Sequence, residues 1–355
     1  MNASLKNFRT LSALALVAAL AACGGGGGGG GDSTTPPGGG TTPPADVVSS
    51  TGTLKATAGT ATYTANSLES DAFAAINQVR GGAGAGYVSQ SAQVDVAAAA
   101  HAKYLTTNLA SGIGHTEDSS KADFYEVSPS SRIAKAGFSA GYTTEVIGGT
   151  GASMLGSDCV LGLMNTVYHA AAILSPTTNV GVGFGLDGAN IPMCVVDFAS
   201  AASESYVQVA PAGALVAYPY AGQTNLLETF YVGYESPRPS ATLFPNTTAG
   251  TPVIVNVRNA DFVNFKAAGT LAAVVTKFEM KDSGGNLVPA GILANSGITG
   301  SGVTLTPDAN LGEGFAVLVP LAPLTKGATY TVTFTATLKT GAAPLNKTWS
   351  FTTNP

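Results

Sequence analysis

The chain is poor in charge, in tryptophan and in histidine. Only 10% of its 355 residues are charged, it has one tryptophan and three histidines, and its formal net charge is −5. An acidic chain without basic runs is a poor match for the phosphate backbone, so we expect no nucleic-acid partner. The sequence also lacks a His-Glu-x-x-His helix and a P-loop. These absences remove the ready signatures of several enzyme classes.

No apolar run in the chain is long enough to cross a bilayer as a helix. Residues 1–22 carry Lys6 and Arg9, followed by a largely apolar stretch that ends in Leu-Ala-Ala before Cys23. This arrangement is typical of an export signal, and its ending resembles a bacterial lipobox. The resemblance implies lipidation of Cys23, and Gly24 at the next position implies the outer membrane. The alternative is an ordinary signal peptide with an incidental cysteine.

Residues 23–45 are predicted to be a tether. After the cysteine they are almost wholly glycine, threonine and proline, which cannot bury apolar surface and stay extended and solvated. A lipid on Cys23 and this stalk would hold the folded part clear of the membrane. We therefore expect a lipid-anchored protein of the bacterial cell envelope, on the periplasmic or the cell-surface side.

Cysteine is scarce, with three residues in the chain. Once Cys23 carries the lipid, Cys159 and Cys194 are left as a pair in an oxidising compartment. A disulfide is favoured there over free thiols. The alternative is two buried, unbridged cysteines.

The hydrophobic pattern divides the folded part near residue 206. Over 46–205 the apolar residues recur mostly at helical spacing, with short extended runs between the helices. The helices are predicted at 67–81, 91–109, 130–136 and 158–168, and the strands at 142–147, 180–186 and 191–198. Helices interleaved with short strands predict an α/β layered domain.

Over 206–355 the apolar residues alternate with polar ones. Strands are predicted at 252–257, 272–280, 315–319, 330–338 and 349–352. Short strands at this spacing predict an antiparallel β-sandwich, and the final segments resemble immunoglobulin-like modules of bacterial surface proteins. Such modules usually space or present other domains. Trp349 is interpreted as part of the sandwich core.

The three histidines all lie in the α/β domain, and two of them bracket a carboxylate. His115 and His169 stand on either side of Glu145, which lies in a short β-like run. Two imidazoles and a carboxylate are a plausible ligand set for zinc or another divalent cation. The alternative for Glu145 is a solvent-facing strand position. His101 lies on the apolar face of its helix, so we expect a hydrogen-bonded core histidine there.

A cluster of acids follows His115. Glu117, Asp118, Asp123 and Glu126 could add a carboxylate to the site or accept calcium, but their spacing matches no EF-hand loop. We expect these four residues to form a solvated loop.

Short motifs in a fixed order connect these candidates over about residues 66–205. They are Ile76-Asn-Gln-Val-Arg80, Val94 to His101, Gly114-His115, Arg132-Ile133, Glu145-Val-Ile147, Met164-Asn165 with His169, and Val180-Gly-Val-Gly183. The ordered set resembles the CAP superfamily (cysteine-rich secretory proteins, antigen 5 and pathogenesis-related proteins), in its bacterial secreted branch.

The resemblance implies an α-β-α sandwich with a central cleft. In the family, two histidines and two glutamates line that cleft, and some members bind a divalent metal there. His115, Glu145 and His169 match three of the four positions. Thr166 stands near the place of the second glutamate, and Leu163 replaces a usual tryptophan. A site short of one carboxylate should bind metal more weakly.

These features favour an envelope lipoprotein whose cleft binds a lipid, a peptide or an envelope component, with a divalent cation as candidate cofactor. The alternative is a hydrolase, a peptidase or esterase assisted by a metal or by the His/Glu pair. The family resemblance does not support a general enzymatic role. A third interpretation is a display or adhesion protein in which the cleft is vestigial.

Overall fold

The computed structural model describes residues 52–150, 154–186, 190, 192–204, 208–266 and 273–355. The predicted export signal, the tether and Cys23 lie outside these residues. Within the described part of the chain, no helix is both long enough and apolar enough to cross a membrane.

The first module contains the helices α1 (Leu68–Ala83), α2 (Ala92–Thr107), α3 (Pro129–Lys135), α4 (Gly156–Met164) and α5 (Tyr168–Ile173). The side chains of Ser67 and Ser91 accept hydrogen bonds from the first turns of α1 and α2, as expected for serine N-caps. The sequence predicts one helix over 158–168, but the chain forms α4 and α5 with a break between them. At the break, a carboxylate of the second module accepts hydrogen bonds from the free N–H groups at the start of α5.

The sheet of this module has the strand order β1-β3-β4-β2, with β1 (Ser89–Gln90), β2 (Ala140–Gly149), β3 (Asn179–Leu186) and β4 (Pro192–Ala201). β1 pairs with β3 in parallel, and the other pairs are antiparallel. In the β2/β4 register, Glu145 lies opposite Asp197. Directly opposite residues share a face, so the two carboxyl groups are neighbours.

Helices cover both faces of the sheet, which makes the module an α-β-α sandwich. Apolar residues of α1, α4 and α5 pack on one face, and those of α2 and α3 pack on the other. Two glycines of β3 allow α2 to approach closely, because a Cβ atom at Gly181 or Gly183 would overlap the α2 backbone. The predicted α/β layered domain is confirmed.

The second module is a β-sandwich. Its elements are β5 (Val216–Tyr218), β6 (Thr229–Phe230), β7 (Ala249–Gly250), β8 (Val253–Asn256), α6 (Ala260–Lys266), β9 (Ala273–Lys281), β10 (Ala290–Ala294), β11 (Ile298–Gly300), β12 (Thr306–Pro307), β13 (Phe315–Pro320), β14 (Thr329–Leu338) and β15 (Leu345–Thr352).

One sheet of the sandwich has the order β12-β10-β13-β8-β5 and the other has the order β11-β9-β14-β15. The central pairs are antiparallel, while β12 and β11 join their edges in parallel. Trp349 is buried in the core, and its indole N–H donates to the Pro219 carbonyl at 2.7 Å.

The described residues of both modules belong to one compact unit. A single cluster of buried apolar side chains runs from α1 through both sheets of the sandwich. Polar contacts also cross the junction, since the Tyr168 hydroxyl donates to Asp308 at 2.7 Å and Asn165 Nδ2 donates to the Thr229 carbonyl at 2.6 Å. The β-sandwich therefore packs against the side of the first module that carries α1, α4 and α5.

Candidate binding cleft

The three residues predicted as a site line one cleft. His115 lies in the loop that follows α2, Glu145 lies in β2 and His169 lies in α5. The cavity has a volume of about 420 Å³ and is walled by both modules. The first module contributes Tyr142, Tyr168, Ala171, Ala172 and Ser175 in addition to the trio, and the second contributes Ser236, Pro237, Arg258, Asn310, Glu313 and Phe315.

Glu145 forms the floor of the cleft with both carboxylate oxygens engaged. His115 Nδ1 lies 2.8 Å from Oε1, and Arg132 Nη2 donates to Oε2 at 2.7 Å. Burial alone raises the pKa of Glu145, but the His115 hydrogen bond and the Arg132 charge outweigh it and bring the pKa below its ordinary value. Glu145 is therefore ionised at neutral pH and faces partners rather than solvent.

A second buried carboxylate, Glu117, extends this network. Its Oε1 lies 2.9 Å from His101 Nδ1 and 3.5 Å from Arg132 Nη1, and its Oε2 accepts the Tyr125 N–H at 2.7 Å. The expectation that Glu117 belongs to a solvated loop is wrong, because its side chain is buried against His101 and Arg132. His101 is a buried, hydrogen-bonded histidine as expected, with Nε2 placed 2.9 Å from the Gly114 carbonyl.

A third carboxyl group belongs to Asp197, which lies on β4 directly opposite Glu145 of β2 and is fully buried. Burial raises the pKa of Asp197 well above its ordinary value, and the negative charge of Glu145 raises it further. The raised pKa favours the neutral form of Asp197 more than in an exposed aspartate. The Arg132 guanidinium forms ion pairs with Glu145 and Glu117.

His169 has a different environment, made by a residue that sequence reasoning missed. Its Nδ1 lies 3.1 Å from Thr166 Oγ1 and 3.5 Å from Glu235 Oε1. Glu235 comes from the second module, is buried, and accepts the backbone N–H groups of Val167 and Tyr168 at 3.0 and 2.5 Å. It caps the start of α5 and fixes His169. No local signal marks Glu235, because its partners are far away in the chain.

A divalent metal on the predicted trio does not fit this conformation. Glu145 is engaged by Arg132 and His115, so it acts as a partner of His115 rather than as a free ligand. Two imidazoles alone are too few, since zinc sites use three or four protein ligands. Across the described residues, no three His, Cys, Asp or Glu side chains are placed to hold a metal ion.

Cys159 of α4 and Cys194 of β4 are joined as a disulfide, with their Cα atoms 6.6 Å apart. Both residues are buried. The bond ties α4 to the sheet beside a second cavity, which Cys159 also lines.

Comparison with known proteins agrees with the motifs. Residues 73–198 match the model of CAP, the cysteine-rich secretory protein family. Among solved structures, an outer surface protein from Borrelia burgdorferi is similar, at 20% identity and a TM-score of 0.30. That match covers 36% of this chain and 89% of the Borrelia chain. No curated protein sequence matches.

Proposed function

We propose that this protein is a binding protein of the bacterial cell envelope whose cleft between the CAP domain and the β-sandwich holds a lipid, a peptide or another envelope component. The observation that carries the proposal is a preformed cavity of about 420 Å³ walled by both modules. Ligand sites commonly have volumes of about 300–1,000 Å³ with a few placed polar groups. Here those groups are His115, His169 and the hydroxyls of Tyr142 and Tyr168.

The charges of the floor support binding rather than catalysis. Glu145 and Glu117 share the Arg132 guanidinium, so part of the buried negative charge is compensated before any ligand arrives. The His115 side chain remains 45% exposed and provides an adjustable polar contact. The β-sandwich is then part of the site and not a spacer alone.

The test is ligand capture by the full chain from an extract of bacterial envelope lipids and peptides, followed by mass spectrometry. We expect a bound species that is reduced in a His115→Ala, Tyr142→Ala variant. Leu287→Ala is the control, because Leu287 is exposed on the β-sandwich and does not line the cleft. Equal recovery from the cleft variant and the control would contradict the proposal.

The envelope location rests on the N-terminal sequence and the proposed lipid on Cys23. Metabolic labelling with an alkyne fatty acid should mark the wild-type chain and not a Cys23→Ala variant. Membrane fractionation should then release the variant to the soluble fraction. Labelling that survives the substitution would contradict the lipid anchor.

A second candidate function follows from one contact. The hydrogen bond between His115 Nδ1 and the Glu145 carboxylate orients the imidazole and leaves Nε2 as a candidate general base. A hydrolase of this kind would turn over ester or peptide substrates and lose that turnover in His115→Ala. Absence of esterase and peptidase turnover by the purified wild-type chain would exclude this candidate.

A further inference from the structure

A second cavity of about 420 Å³ lies beside the cleft, on the other side of His169. It is bordered by α4 on one side and by the segment 227–235 of the second module on the other. Its walls include Asn165, Thr166, Glu228, Tyr231 and Tyr234. Of the residues that line the cleft, only His169 also lines this cavity, so the two cavities are separate.

Two tyrosine rings at the mouth of this cavity are exposed and stacked. The side chains of Tyr231 and Tyr234 are 55% and 88% exposed, and their ring centroids lie 5.7 Å apart with 22° between the planes. Exposed aromatic rings that are held together in water often mark recognition surfaces. Tyrosine suits this role because it offers a large amphipathic surface with little conformational entropy to lose.

The backbone beneath the two rings is firmly anchored. Tyr231 directly precedes a short 3₁₀ turn, Val232–Tyr234, and Tyr234 ends it. Val232 inside the turn and Phe230 before Tyr231 are both buried. The following residue, Glu235, is fixed by its hydrogen bonds to the start of α5. The rings are therefore presented by a rigid element, which lowers the entropic cost of binding.

The cavity wall is mostly apolar, but it presents a few polar groups next to the rings and carries little charge. Asn165 is buried, uses Nδ2 to bind the Thr229 carbonyl, and has no partner for Oδ1 among the described residues. Thr166 and Thr229 add further polar groups. The acids are Glu228, which lies 3.7 Å from Lys326, and the buried Glu235. An anionic ligand finds no lysine or arginine among the lining residues.

We propose that this cavity, with the Tyr231 and Tyr234 rings, is a binding subsite for a neutral saccharide. A pyranose ring has an apolar C–H face that stacks on an aromatic ring, and one of its hydroxyl groups can donate to Asn165 Oδ1, which has no partner among the described residues. An acyl chain fits less well, because a ring as exposed as Tyr234 does not enclose it. The ligand class is thus an uncharged oligosaccharide, distinct from the occupant proposed for the cleft.

The test is binding of three neutral hexasaccharides, cellohexaose, chitohexaose and maltohexaose, to the full chain by saturation-transfer NMR and calorimetry. We expect at least one to bind at millimolar or lower concentration. A Tyr231→Ala, Tyr234→Ala variant should bind it about tenfold more weakly or not at all. Both tyrosines are largely exposed, so the variant should keep the wild-type melting temperature.

Tyr142→Ala is the matched control, because Tyr142 is an exposed tyrosine that lines the cleft and not this cavity. It should leave saccharide binding unchanged while weakening capture in the cleft. The saccharide proposal is overturned if no hexasaccharide binds, or if the double tyrosine variant binds as tightly as the wild type. Binding of a proline-rich peptide at the tyrosines without saccharide binding also overturns it. None of these results bears on occupancy of the cleft.

Discussion

The guanidinium of Arg132 donates to the carboxylate of Glu145 at 2.7 Å, and both side chains are buried. The bond joins α3 to β2 beneath the cleft, at a point where no solvent screens either charge. Arg132 Nη2 also donates to the His115 carbonyl at 3.1 Å. One side chain therefore holds the loop that carries His115 and compensates the charge of Glu145.

Replacing Arg132 should strongly destabilise the fold. Arg132→Met leaves Glu145 and Glu117 buried without their cation, and we expect a loss of about 3–5 kcal/mol in the free energy of unfolding. Urea denaturation at pH 7 measures this. Lys281→Met is the control, because the Lys281–Glu279 pair is partly exposed and should contribute less than about 1 kcal/mol. Similar losses in the two variants would refute the role assigned to Arg132.

The low pKa of Glu145 should make part of the stability depend on pH. Its pKa in the folded state lies below the ordinary value of 4.5, so its contribution is complete above pH 4.5 and is lost as the pH falls further. The stability difference between the wild type and Glu145→Gln should therefore shrink from pH 6 to pH 3. We would reject this assignment if urea denaturation gave a difference that grew on acidification.

The contribution of Asp197 to stability should depend on pH in the opposite direction. Its pKa is raised by burial, so the folded state holds the proton more tightly than the unfolded state, whose pKa is near 3.8. Stability from this group is then greatest below that value and declines as the pH rises. Asp197→Asn cannot ionise, and we expect it to be more stable than the wild type at pH 7 by the order of 1 kcal/mol. Thermal melts at pH 7 and pH 3 should show the gain only at pH 7.

Glu235 should control the local stability of α5. Glu235→Gln keeps the size of the side chain but removes the charge that caps Val167 and Tyr168, and hydrogen bonds to charged groups contribute about 1.5–3 kcal/mol. Hydrogen exchange at these two amides should accelerate. Glu228→Gln is the matched control, since Glu228 is only paired with Lys326 at the surface. Unchanged protection of both amides in Glu235→Gln would argue against the cap.

The disulfide between Cys159 and Cys194 spans 35 residues of sequence. A bond of this span is expected to stabilise the fold by about 4 kcal/mol, chiefly by restricting the unfolded chain. Reductant should lower the melting temperature of the wild type and leave a Cys159→Ala, Cys194→Ala variant unaffected. A thiol reagent under denaturing, non-reducing conditions tests the bond directly, because two reactive thiols here would contradict it.

The sequence predicts the long elements of the fold well. Serine caps and apolar stripes mark α1 and α2, and strict alternation marks β14. Strands of two or three residues, such as β6 and β12, were missed because so few positions cannot display a period. The break before α5 was also missed, since the carboxylate that caps α5 there, Glu235, is distant in the sequence.

The site was predicted in part. His115, Glu145 and His169 do line one cleft, but sequence spacing identifies no cationic partner for the Glu145 carboxylate. In the structure Arg132 supplies that balance, and Glu117 and Asp197 share the same buried region. Charges in a low-dielectric interior interact over several ångströms, so their roles depend on neighbours that sequence spacing does not specify.

The sequence alone predicts the two-module pattern and an export signal, because these depend on local composition and periodicity, and it carries the motifs that resemble the CAP superfamily. The tertiary structure decided which groups pair. It placed the Glu235 side chain at the start of α5 and buried Glu117 against His101. It also brought the β-sandwich to the cleft, where it forms the second wall. Such contacts join residues distant in the chain, and they form only when apolar burial brings the two modules together.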